Sequence, residues 1–308
     1  MRRALVTGES GFIGTHLVDA LRGENTKVVT LGRRKSADGN HVYLEPGEWN
    51  GDRLAKILEF ARPDAIFHLA GAARGTAEEL LAINAGLTRA LLLGIERAGL
   101  SPVVISAGSA AEYGAAIKDG EPVTEDASCE PLAAYGISKL AQTMEVLDFG
   151  ARRSVPVLAA RIFNAIGPGM PRHLALGDFA YQIAAAPRQG RFRLSVGNLE
   201  TRRDMIDVSH VALVLSRLAR QPDARGIVNV CSGVAPRLRS LVDTLISASG
   251  RDVVIDVDPS RLRPNELAII VGSTDRLSKL NCSPPPTDFP ALVESIWRFV
   301  ERPVPVVS

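Results

Sequence analysis

Lysine is scarce in this chain. Of its 36 basic residues only six are Lys, at positions 27, 35, 56, 118, 139 and 279, and the other thirty are Arg. Codon usage in a GC-rich genome accounts for most of such an excess, and a smaller part suits the planar fork with which Arg grips phosphates and carboxylates. Cysteine is nearly absent too. Cys129, Cys231 and Cys282 are odd in number, far apart and without CxxC spacing, which excludes a disulfide framework and a zinc site, so no metal is expected. There is no run of 18 apolar residues to cross a membrane. The start, Met1-Arg2-Arg3, has the charge of a signal peptide, but its apolar run ends at Val6, so a cytoplasmic protein with no membrane partner is expected. A net charge of +2 gives no nucleic-acid footprint. With 308 residues, 46% of them hydrophobic, the composition is globular and leaves room for two domains.

From residue 3 onward, short β-branched runs alternate with helix-length amphipathic segments, the pattern of repeated βαβ units around a parallel sheet. Strands are predicted at 3–7, 27–31, 65–69, 102–106 and 157–162, and helices at 12–22, 51–60, 77–98 and 134–152. Residues 164–173, with Gly167, Pro168, Gly169 and Pro171, read as a loop or lid. A strand at 227–231 is expected to return to the main sheet. The fold class is therefore α/β, a doubly wound parallel sheet of Rossmann type over 1–165 with a return at 203–232. A smaller, interleaved substrate region is expected at 166–202 and 233–308.

Residues 7–14 read TGESGFIG, directly after the first strand and opening the first helix. Glycines at 8, 11 and 14 let backbone N–H groups approach a pyrophosphate at the positive end of a helix dipole. The second strand ends Thr30-Leu31-Gly32-Arg33-Arg34, with no acid where ribose hydroxyls are usually held. Arg33 suits a 2′-phosphate, so NADP is expected over NAD, with NAD still possible.

At 135–139 the sequence is YGISK, which puts Tyr135 and Lys139 on one helix face, where an ammonium favours the phenolate. Ser109 lies just past the fourth strand, in SAGSAAEYG at 106–114, at the sheet edge where ligands bind. Tyr113 reads as a packed loop aromatic and His68 as a strand-end packing residue. These segments, with IFHLAG at 66–71, Asn84 and RIFNAIGPG at 161–169, resemble the extended short-chain dehydrogenase/reductases, the sugar-nucleotide epimerase/dehydratase group, over essentially the whole chain.

The resemblance implies a catalytic triad of Ser109, Tyr135 and Lys139. It further implies a cofactor held by Gly8, Gly11, Phe12, Ile13, Gly14, Arg33, Leu69, Ala70, Gly71, Asn84, Tyr135 and Lys139. Ala110 and Ala111 stand where the group's dehydratases carry an acidic pair and one of its epimerase/reductases a Cys. Plain hydride transfer remains. VGNLETRRDMIDV at 196–208 and DPSRLRP at 258–264 resemble the branch that reduces the C4 keto group of GDP-4-keto-6-deoxyhexoses with NADPH. Arg203 and Arg263 are then candidates for the GDP diphosphate. Asn164 is a candidate for the diphosphate or sugar, Phe179 for the nucleotide pocket, and Ser109 for the substrate oxygen. A homodimer through the helices at 77–98 and 134–152 is expected by the same resemblance. The alternatives are a nucleotide-sugar 4-epimerase with tightly bound NAD, a reductase of non-sugar carbonyls, and a non-catalytic NADP sensor.

Overall fold

Ala65–His68 and Val157–Ile162 are buried along their whole length, as are the last four residues of Arg3–Thr7, which marks strands covered on both faces. The computed structural model describes residues 1–262 and 266–302. These strands belong to a seven-stranded, all-parallel sheet. From one edge to the other the order is Gly226–Val230, Val157–Ile162, β5 (Val103–Ser109), β4 (Ala65–His68), β1 (Arg3–Thr7), β2 (Lys27–Gly32) and β3 (His41–Tyr43). The chain runs outward from β1 through β2 and β3, then reverses to β4 on the other side. That reversal opens a crevice at the carboxyl ends of β1 and β4, the usual ligand position in such sheets.

Helix α1 (Phe12–Gly23) and the helix Val208–Leu218 bury Leu17, Leu21, Val211 and Leu215 against one face of the sheet. On the other face, α2 (Gly51–Ala61) supplies Leu54 and Leu58 and α5 (Ala134–Arg153) supplies Val146 and Phe149. The predicted helix at 77–98 is built in three parts: α3 (Ala77–Leu81), a π-helical turn Ala82–Gly86, and α4 (Leu87–Arg97), which packs Leu91 and Ile95 on the same face.

Beyond residue 163 a second core forms. Helices Ala175–Ala185, Leu238–Ser249 and Phe289–Glu301 close over the parallel pair Phe192–Val196 and Val253–Val257. Phe179, expected at the nucleotide pocket, is part of this core. Its side chain is 3% exposed, on the inward face that also carries Leu176 and Ile183. The segment expected as a loop at 164–173 begins as a strand, Asn164–Ile166, paired with Met205–Asp207. Asp204 binds the parts together. Its buried carboxylate accepts from the N–H groups of Ser232, Gly233 and Gly272 at 2.9–3.0 Å.

Candidate active site

The crevice is floored by the turn from β1 to α1. Gly8 has φ +72, a conformation that L side chains rarely adopt, and a Cβ there would lie 2.6 Å from Ala70 N. Gly11 N donates to Gly8 O at 3.0 Å, closing the turn, and Phe12, Ile13 and Gly14 form the first turn of α1. Leu69, Ala70 and Gly71 follow β4 and face this turn across the sheet. A glycine cradle at a helix N-terminus beside two bare strand ends fits a dinucleotide pyrophosphate. Arg33 is exposed just past β2.

A directed chain of hydrogen bonds runs behind this crevice. Ala70 N–H donates to Thr7 Oγ1 at 3.2 Å, and Thr7 Oγ1 meets His68 Nδ1 at 2.8 Å. On the far side His68 Nε2 meets Thr88 Oγ1 at 2.9 Å, and Thr88 donates to Asn84 O at 2.7 Å. With Thr88 donating onward, the proton of the neutral ring sits on Nε2 and Nδ1 accepts. Burial, with the nearby Lys139 charge adding, pushes His68 down to about 3. Its place in the structure is the packing one.

That gives a signed pH prediction. The ordinary pKa of 6.5 falls on folding, so the stability tied to neutral His68 is present above pH 6.5 and is lost as pH drops toward about 3. The slope is about 1.4 kcal/mol per pH unit. Between pH 6 and pH 4 the advantage of wild type over His68→Asn should shrink by about 3 kcal/mol in urea unfolding. Parallel pH profiles would reject the linkage.

Asn84 is consumed as a brace. Its Oδ1 accepts from Ala72 N at 2.8 Å, and its Nδ2 donates to Ala72 O at 2.9 Å and Ser138 Oγ at 2.8 Å. It therefore acts on the site through the loop after β4 and through α5.

Ser109 ends β5 and caps the short 3-10 turn Ala110–Glu112. Tyr135 lies in the first turn of α5, with Lys139 one turn on. Gly136 makes their approach possible. A Cβ at that position would lie 2.5 Å from Ala111 O, so only glycine lets the start of α5 close onto the turn after Ser109. The Ser109 hydroxyl lies close enough to the Tyr135 phenol to act on it. Burial raises the phenol above its ordinary value, against the Ser109 hydroxyl that lowers it, and the Glu112 charge raises it further. Lys139 donates to Ala107 O and Gln142 Oε1, both at 2.9 Å, and burial brings its ammonium down to about 8. A half-buried, protonated phenol with a hydroxyl close by and an ammonium one helical turn on can donate a proton to an oxygen held at Ser109.

Sequence reasoning passed over Glu112 and Arg161. Glu112 is fully buried, accepts from Ser109 N at 2.8 Å and pairs with Arg161 Nε at 2.9 Å. Burial holds its carboxyl above the usual range, against the lowering effect of Arg161. The Arg161 guanidinium also stacks on Tyr113, 4.4 Å from the ring centroid, and donates to Cys129 Sγ at 2.9 Å. Tyr113 is the packed aromatic expected, its hydroxyl donating to Asn229 Oδ1 at 2.6 Å. The signal for Glu112 was present as the capping-box spacing Ser109-x-x-Glu112.

Of the proposed substrate contacts, Asn164 is exposed at the start of its strand and donates to Asp204 O at 2.8 Å. Arg203 pairs with Glu266 at 3.0 Å and donates to Leu267 O at 2.9 Å. Arg263 lies outside the described residues.

Residues 4–231, which include the glycine turn, Ser109, Tyr135 and Lys139, match the model of the NAD dependent epimerase/dehydratase family. The chain belongs to that family. A GDP-6-deoxy-D-mannose reductase of Pseudomonas aeruginosa is 34% identical over 284 residues, covering 90% of each chain. A UDP-glucose 4-epimerase of Azospirillum brasilense is 28% identical, covering 89% of this chain and 85% of that one. The solved structure of RMD from Pseudomonas aeruginosa complexed with NADPH superposes at a TM-score of 0.83 with 29% identity, covering 98% of this chain and 99% of that one. This family member is thus an enzyme that binds NAD(P). Among the described residues no helix is long and apolar enough to cross a membrane, and no cluster of His, Cys, Asp and Glu could hold a metal ion.

Proposed function

We propose that the protein is an NADPH-dependent reductase of the C4 keto group of a GDP-4-keto-6-deoxyhexose, acting in the cytoplasm in GDP-rhamnose-type synthesis. The observation that carries this reading is the Ser109, Tyr135 and Lys139 arrangement with neither an acid nor a thiol at the two positions that follow the hydroxyl. Ala110 and Ala111 follow the hydroxyl, and Glu112 is committed to Arg161 and to Ser109 N. Elimination chemistry has no acid there to serve it. The 34% identity to a GDP-6-deoxy-D-mannose reductase supports the choice of sugar.

Bound NADPH supplies the hydride. The glycine turn, residues 69–71, Arg33 and Lys139 hold it, with Asn84 bracing the loop and α5. Ser109 holds the C4 oxygen and Tyr135 gives it a proton. Lys139 favours the phenolate left behind. Asn164, Arg203 and Arg263 serve the GDP-sugar, and residues 166–202 and 233–308 form most of its platform, while 1–165 with the return at 203–232 carry the dinucleotide. Leu81, Ile137 and Met144 are exposed on α3 and α5, an apolar surface consistent with a homodimer.

The test is NADPH oxidation with GDP-4-keto-6-deoxymannose, with the C4 configuration of the product read by NMR and the subunit number by sedimentation. Stoichiometric NADPH loss with one 4-hydroxy product is expected. Similarity to a UDP-glucose 4-epimerase favours a second reading, a nucleotide-sugar 4-epimerase. NAD(H) carried through purification, with no net oxidation of added NADPH, would establish that one instead.

A further inference from the structure

Beta-strand β2 ends in Gly32 and offers no acid, while the glycine turn carries Glu9 directly after Gly8. The fold brings these two features together. A Cβ at Gly32 would lie 2.6 Å from Glu9 Oε2 and closer still to Oε1, so the carboxylate occupies the space from which an acidic side chain on β2 would grow. Only glycine at that position leaves room for it.

The Glu9 side chain is 13% exposed, and its Oε2 is buried without a hydrogen-bond partner. His41 Nδ1 is 3.9 Å from Oε1. That separation is too long for a hydrogen bond, and both ring nitrogens have other partners, Nε2 with Arg34 O at 2.7 Å and Nδ1 with Thr30 Oγ1 at 2.9 Å. A buried carboxylate oxygen without donors is costly, and such a group fits a site where a ligand brings the donors. In sheets of this topology an acid about 20 residues past the glycines, at the end of β2, accepts from the ribose hydroxyl of the dinucleotide.

We infer that Glu9 is a specificity-determining residue of the dinucleotide site. It returns to the end of β2, from the glycine turn, the ribose-holding carboxylate that the strand itself lacks, so the site takes NAD(H) alongside NADP(H). Arg33, exposed one residue beyond Gly32, acts in the opposite sense by attracting a 2′-phosphate. The balance of these two charges sets the cofactor preference. This deepens the cofactor part of the proposed function and rests only on dinucleotide binding.

The experiment titrates NADH and NADPH separately, by nicotinamide fluorescence and with no sugar present, into wild type and Glu9→Gln. Removing the charge while keeping the shape should weaken NADH binding about tenfold and leave NADPH binding unchanged or tighter. Gly32→Ala, with Glu9 intact, should shift the ratio the same way because the added methyl displaces the carboxylate; it also guards against misfolding of the first variant. Equal weakening of both dinucleotides, or NADH binding that neither variant alters, overturns the inference. Since no keto sugar enters these titrations, failure of the sugar reaction and failure of the Glu9 assignment are read independently.

Discussion

Tyr135→Phe is expected to lower turnover on the keto sugar by about 10²–10⁴-fold, the usual worth of a positioned acid. In the proposed reaction the phenol is the group from which the new alcohol takes its proton. Burial raises the phenol's pKa and so keeps that proton in place at neutral pH. Phenylalanine fills the same space, so dinucleotide and GDP-sugar affinities should change little. The loss should therefore appear in kcat with KM nearly constant. A variant that turns over at the wild-type rate would remove Tyr135 from the mechanism. One whose loss lies wholly in KM would make it a binding residue.

The second large effect lies one layer behind. Arg161→Met should cost about 3–5 kcal/mol of stability, because it leaves the Glu112 carboxylate buried and without its ion-pair partner. Both side chains are almost completely closed to solvent, at 2% and 0%. Screening by water cannot take over the role of the guanidinium. Neutralising the partner as well, in Arg161→Met with Glu112→Gln, should recover a large part of the loss, since a pair replaced by neutral groups leaves no stranded charge. Urea unfolding of the two variants checks this. A single variant that loses less than about 1 kcal/mol, or a double variant no better than the single one, would show that the pair is not the source of the effect. Because Glu112 also accepts from Ser109 N, the single variant should additionally disturb the position of Ser109.

What could be read from the chain and what could not divide along a physical line. The glycine turn and YGISK are local patterns, in which spacing along the chain fixes spacing in the fold. Both stand where the sequence put them, at the start of α1 and in the first turns of α5. The alternation of strands and helices likewise led to the parallel sheet, because a strand buried on both faces is apolar throughout. Arg161 and Glu112 are 49 residues apart, and nothing local announces that they meet. Arg203 was legible as a cation but not as the partner of Glu266, 63 residues away. An apolar ring such as Phe179 has the same appearance in sequence whether it lines a pocket or fills a core. Only the packing of helix Ala175–Ala185 decides. Glu9 was hidden for a related reason: the acid was sought on β2, where its neighbours in space begin, and it arrives from another segment.

The π-helical turn Ala82–Gly86 holds one residue more than an α-helical path would need. Dropping a residue there would let α3 run straight into α4 with its rotational phase preserved, and Leu91 and Ile95 would still face the sheet. The same deletion inside α4 would turn every later side chain by about 100° and expose that face. What the shortened turn would lose is the inward presentation of Asn84, and with it the bridge from Ala72 to Ser138. In this helix the fold and the site are separable by length: the packing face belongs to the regular turns, and the contribution to the site belongs to the extra residue.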